Sequence, residues 1–205
     1  MDESLFGRAL RFEEGLVQTV LTTLVRLQSM PAAELTDETS KNAQRLYRLI
    51  DRVVARLYFA FDFNGIGRGR GEVVPEDAQR RAFFRRIRPL ISGLIEFAND
   101  PKGCLLPPTA HHLMQLLAGA VEYDVYEVLR LAALLAKGSA KAKYPFDSLA
   151  IKEVVGLVER ILADYRGQIT DAASFRNLVE LLDIFAAAGW PEALRLVWRL
   201  DEVYR

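Results

Sequence analysis

Apolar residues recur along this chain at intervals of three and four, and no run alternates with the period of two that a strand requires. Leu5, Leu10, Leu16, Val20, Leu24 and Leu27 form one face of a predicted helix over residues 3–29, which Pro31 ends. A second helix begins at Thr39 or Ser40, either a suitable N-cap, and covers residues 40–62. Its apolar side is Leu46, Ile50, Val53, Val54, Leu57 and Phe61. A third starts at Pro75, has Glu76 and Asp77 in its first turn and runs to Asn99, with Pro89 placed to kink or split it. Thr109, after two prolines, reads as the cap of a helix to Val121, and another spans 123–137 before a polar linker at Gly138–Pro145. Phe146, Ala150, Val154, Leu157, Val158, Ile161, Leu162 and Tyr165 then share a face. Asp171 caps the next helix, and Gly189-Trp190-Pro191 is a stop followed by a start. The last helix carries Leu194, Val197, Trp198 and Tyr204, with Trp198 expected as its core anchor.

The pattern predicts an all-α chain. Short connections favour antiparallel neighbours and a solenoid-like stack, although no clean repeat appears at the standard periods of about 34 or 40 residues. The reading is therefore an irregular antiparallel helical array, with a globular helical bundle as the alternative. It spans residues 1–205 as one domain, divisible into a basic-centred half at 1–100 and a C-terminal array at 101–205.

With 205 residues, 51% of them hydrophobic, the chain is long enough for one sizeable core. Its single Cys104 cannot form an internal disulfide, so a reducing, cytoplasmic setting is expected. No apolar run reaches the roughly 20 residues of a membrane span. Asp2 and Glu3 stand where a secretory signal carries positive charge, so export is not expected.

Charge changes the picture more than composition does. The 27 basic and 27 acidic residues cancel, but residues 41–88 hold 12 basic and 5 acidic side chains. In the second helix Lys41, Arg45, Arg48, Arg52 and Arg56 follow one another at spacings of four, three, four and four. They fall within a sector of about 80° opposite the apolar face. Arg81, Arg85 and Arg88 share one side of the third helix, opposite Phe83, Ile87, Leu94 and Phe97. Arg68 and Arg70 lie between, in a segment with glycine at every second position from Gly65 to Gly71 that is expected to pack poorly. Together these ten residues could form one continuous cationic surface for an acidic protein partner or, as the rival reading, a phosphate backbone. The plainer alternative is a solvated or internally paired face.

Other constellations carry less. His111 and His112 are adjacent, with Cys104 seven positions before them, and do not supply four converging ligands for zinc. The glycine segment follows a helix rather than a strand and lacks the Lys-Ser or Lys-Thr pair of a nucleotide-binding loop. Acid pairs such as Glu13-Glu14, Glu76-Asp77 and Asp201-Glu202 do not converge, and Glu122, Asp124 and Glu127 are as readily explained by helix solvation. Neither metal nor cofactor is expected, and catalysis is not.

Asp147-Ser148-Leu149-Ala150, Glu153-Val154-Val155, Leu162-Ala163-Asp164-Tyr165-Arg166, Leu182-Asp183-Ile184-Phe185, Gly189-Trp190-Pro191-Glu192-Ala193 and Leu200-Asp201-Glu202 are scattered capping and core residues. Together they resemble the extreme C-terminus of very large multidomain bacterial proteins. Those proteins carry an ATPase or other effector domain far upstream and end in a long HEAT-like helical region, some with suspected anti-phage roles. The resemblance covers roughly residues 105–205. It implies a HEAT-like array, a C-terminal piece or small relative of such an assembly, and no catalytic residue in this chain. The expectation is a non-catalytic helical scaffold or protein-interaction module, with nucleic-acid binding through residues 41–88 as the alternative.

Overall fold

A computed structural model describes residues 5–28, 37–63, 77–141 and 148–203. Among them are eight α-helices and no strand: α1 (Leu5–Gln28), α2 (Asp37–Phe63), α3 (Asp77–Asn99), α4 (Pro107–Ala120), α5 (Val125–Lys141), α6 (Ser148–Asp164), α7 (Ala172–Ala187) and α8 (Pro191–Val203). A 3-10 turn at Arg166–Gln168 lies between α6 and α7. No described helix is long and apolar enough to cross a membrane. The glycine segment, with Arg68 and Arg70, lies outside the described residues, as does Pro75.

The described helices bury most of the stripes their periodicity sets out, except that Phe175 on α7 and Leu194 on α8 are exposed, and the buried residues join into one core from Val17 to Leu200. Packing follows a simple order. The odd-numbered helices touch in sequence, α1 to α3 to α5 to α7, and the even-numbered ones likewise, α2 to α4 to α6 to α8. Contacts between the rows come chiefly from α1 with α2, α4 with α5 and α7 with α8. Helix α5 is the most enclosed, buried at Val125, Val128, Leu129, Leu131, Ala132, Ala133, Leu135 and Ala136.

Local chemistry accounts for the boundaries. The Asp171 carboxylate accepts from the Ala173 and Ser174 amides at 3.0 and 2.9 Å, capping α7 as its sequence predicts. Gly189, at φ +88°, ends α7. Its amide donates to the Ala186 carbonyl and the Trp190 amide to the Phe185 carbonyl, the paired bonds of a Schellman stop.

Four expectations need correction. Helix α2 begins at Asp37, ahead of Thr39 and Ser40, with Asp37 and Glu38 on the positive end of its dipole. Helix α3 is not split at Pro89, whose ring is exposed. Gly138 lies inside α5 because α3 comes so close: a Cβ there would sit 3.1 Å from both the Cβ and the carbonyl oxygen of Ala98. Asn99 secures the same seam, donating to the Ile95 and Leu134 carbonyls at 2.9 Å. Finally, Trp198 is 77% exposed and is not a core anchor. Ala193, Leu196 and Leu200 hold α8 to the core, and Trp198 stands about 160° around the helix from the last two.

Truncating Phe185 to Ala, inside the core, is expected to cost about 3–5 kcal/mol in urea unfolding. Truncating Trp198 to Ala should stay within about 0.5 kcal/mol of the parent. Comparable losses for the two variants would contradict this packing of α8.

Candidate functional site

The ladder of α2 is built by a coincidence of two periods on one helix. Ile50, Val53, Val54, Leu57 and Phe61 are buried against α1, α4 and their neighbours. The opposite side therefore points outward, and Lys41, Arg45, Arg48, Arg52 and Arg56 are all exposed. Arg45 donates to the Asn42 side chain at 3.4 Å. Among the described residues Lys41, Arg48 and Arg52 have no carboxylate within ion-pairing distance. Phe59, 47% exposed, continues the same row beyond Arg56.

The arginines of α3 are disposed differently. Arg88 pairs with Asp124 at 3.3 Å, and the Arg81 guanidinium lies 5.7 Å from the centroid of the Tyr123 ring. Both are thus directed at the turn between α4 and α5, while Arg85 is exposed. The Arg80 guanidinium, absent from the predicted surface, lies 5.8 Å from the Phe61 ring. Of the ten cations expected on one surface, the structure leaves Lys41, Arg48 and Arg52 exposed with no carboxylate partner among the described residues, turns two of the α3 arginines onto their own fold and does not describe Arg68 or Arg70.

The acids considered as groove residues are also engaged. Asp124 accepts from the Glu127 amide at 3.2 Å as well as pairing with Arg88. Glu127 receives both arms of Arg130 at 2.8 Å. The Arg130 hydrogen bonds, outweighing desolvation, hold the Glu127 carboxyl below its ordinary pKa and raise Arg130 above its own. Glu122 pairs with Arg160 at 3.3 Å. A pocket of about 300 Å³ between α2, α4 and α6 includes Tyr58, Gly156, Glu153 and Arg160, but Glu153 and Arg160 are committed to Gln115 and Glu122.

Sequence reasoning missed a polar seam between α2 and α4. Helix α4 starts at Pro107 with Leu106 as a cap that offers no side-chain bond, so Thr109 sits within it. The buried Thr109 hydroxyl instead donates to Asp51 at 3.0 Å. His112 Nδ1 lies 4.0 Å from the same carboxylate, and its ring stacks on Tyr58 at 5.7 Å between centroids. Asp51 and His112 stand 61 positions apart, so no local spacing could have linked them. Burial lowers the His112 pKa from its ordinary 6.5, opposed by Asp51 and reinforced by His111. Cys104 Sγ lies 3.5 Å from the Tyr47 hydroxyl in the same seam. Among the described residues no three His, Cys, Asp or Glu side chains converge as a metal site would require.

No known protein family matches this chain, and neither does any curated protein or solved structure.

The His112 shift sets a pH dependence with a definite sign. Because the folded pKa is depressed, the unfolded chain binds the proton more readily, and stability should fall as pH drops below about 6.5 toward the folded pKa. His112→Gln should flatten that part of the profile, and Asp51→Asn should steepen it by removing the opposing charge. Chemical unfolding at pH 7.5 and 5.0 measures both; a parent profile identical to that of His112→Gln would contradict the assignment.

Proposed function

We propose that this chain is a non-catalytic helical scaffold, an α-solenoid of the HEAT-like kind, whose α2 ladder receives an acidic protein surface. The two ordered rows of helices support the solenoid reading, since the odd-numbered and the even-numbered helices each touch in sequence and α1–α2, α4–α5 and α7–α8 join the rows. The resemblance at residues 105–205 supports a place in a larger bacterial assembly, anti-phage defence among them. The lone Cys104 supports a cytoplasmic setting.

The observation that carries the binding reading is the exposed set Lys41, Arg48 and Arg52 on α2. Acids near the α3 arginines are drawn into ion pairs, whereas Lys41, Arg48 and Arg52 have none among the described residues. Arginine predominates in the row, and its planar fork matches a carboxylate with two parallel hydrogen bonds.

Nucleic acid is the second reading, favoured by the same lack of carboxylate partners. It is weakened by the commitment of Arg81 and Arg88 to the α4–α5 turn, which narrows the basic surface to one helix.

Replacing Arg45, Arg48, Arg52 and Arg56 together by Gln separates the readings. Stability should shift by no more than about 0.5 kcal/mol per substitution. Binding to poly-L-glutamate should be lost, and a 20-nucleotide DNA duplex should bind poorly before and after. DNA binding by the parent across unrelated sequences, with a salt slope that flattens by about 0.9 per lost contact in the variant, would favour the second reading instead. Unfolding of the variant would assign the arginines to the fold and sink both.

A further inference from the structure

We infer that this chain associates with copies of itself head to tail, the outer side of α8 in one copy seating in the groove between α1 and α3 of the next. Neither surface includes a cation of α2, so the contact stands apart from the acidic-partner reading.

Helix α8 turns two large apolar side chains to water. Leu194 and Trp198 are 44% and 77% exposed and stand one turn apart. Arg195 and Arg199 are exposed too, also one turn apart, and lie about 100° round the helix from the apolar pair. Neither arginine has an ion-pair partner among the described residues. The outer side of α8 is therefore an apolar line with two cations beside it.

The groove has the complementary layout. It lies where α1 packs on α3 and has a volume of about 510 Å³. Buried Leu21 and Phe97 form its floor, Val25 stands on the α1 side, and Glu96 and Asp100 are exposed on the α3 side. Gly93 keeps it wide, since a Cβ there would meet no neighbouring atom within 4 Å. Glu96 and Asp100 are four positions apart, the spacing of Arg195 and Arg199. The Asp100 carboxylate accepts from the Lys102 amide at 3.0 Å, and its carbonyl takes the Lys141 amine. Arg130, bound to Glu127, acts on Glu96 through charge alone. Neither carboxylate is in an ion pair among the described residues.

Chemistry and spacing together select α8 as the occupant. An indole and a leucine side chain suit the apolar floor, and an aromatic side chain so covered buries about 150–250 Å². With Leu194 and Trp198 inward, the two arginines run along the acidic side, and both pairs repeat at roughly 5–6 Å, the one-turn separation of side chains on a helix. One copy does not fill its own groove, because Trp198 stands in water in the same chain that leaves the groove open. The two surfaces differ, so each copy added leaves one groove and one α8 side unfilled, and growth passes the dimer. One helix in one groove is a small interface, which places association in the micromolar range or weaker.

Sedimentation velocity on the full chain, from about 10 to about 500 μM, tests this. The parent's average mass should rise with concentration past that of a dimer. Trp198→Ala, which lies outside the core, and Gly93→Leu, which fills the groove, should each stay monomeric. Mixed in equal amounts they should form a dimer and stop, because one intact α8 meets one intact groove and nothing is left to extend. Glu96→Lys/Asp100→Lys takes the place of Gly93→Leu if circular dichroism shows α3 disturbed. A parent monomeric at every concentration would overturn the contact and leave both surfaces to a different protein. Association lost in Trp198→Ala but kept in Gly93→Leu would replace the groove with α8 pairing on α8 across a two-fold axis. Association kept by both variants, or lost in both without a mixed dimer, would equally overturn the head-to-tail contact.

Discussion

Helix α5 gives only a narrow strip to water, the side of Tyr126, Arg130 and Lys137. From Val125 to Ala136 it offers large apolar side chains on several sides, and each one left wet would cost about 1.5–3 kcal/mol. It therefore has to be enclosed, and α3, α4 and α7 enclose it. The small residues Ala132, Ala133, Ala136 and Gly138 let those neighbours come close, to the point that a methyl group at position 138 would meet α3. Once α3 and α7 are fixed on α5, and α4 across it, the remaining even helices have their places along the second row. Helix α2 is the first of that row, covered by α1 and α4 and open on the side where its cations stand.

The helices themselves were legible because a 3.6-residue period needs no knowledge of what lies opposite. The buried faces of α2, α3 and α6 contain most of the residues that periodicity selects, and the Asp171 cap and Gly189 stop are chemical features of a few adjacent residues. Misreadings arose where a local signal had a distant explanation. Thr109 after two prolines has the chemistry of a cap, yet its hydroxyl is spent on Asp51 in another helix. Gly138 has the look of a helix end, yet its missing side chain serves the approach of Ala98. Trp198 has the size of a core residue, but two positions after Leu196 is the far side of the helix.

The candidate site divides along the same line. The arginines of α2 and α3 share spacing and composition, so the sequence offers no reason to treat them differently. Their fates diverge because the turn after α4 places Tyr123 and Asp124 beside Arg81 and Arg88, residues 42 and 36 positions earlier. Charge on a helix face is a property of that helix; whether the charge is available is a property of its neighbours. The Asp51–Thr109–His112 seam shows the converse, a polar cluster whose members have nothing in the sequence to link them until two helices bring them together.

The placement of the two tryptophans has an optical consequence. Trp190 closes the stop of α7 and packs against the core, while Trp198, eight residues on, stands in water. Their emission should separate into a shorter-wavelength component shielded from iodide and a longer-wavelength one open to it. Denaturation will shift only the first, with the second contributing a nearly constant background that dilutes the signal. Anything that covers the outer side of α8 will do the reverse, moving the exposed component while the buried one holds still. Unfolding and surface coverage at this end of the molecule thus leave different spectral signatures, with no label attached.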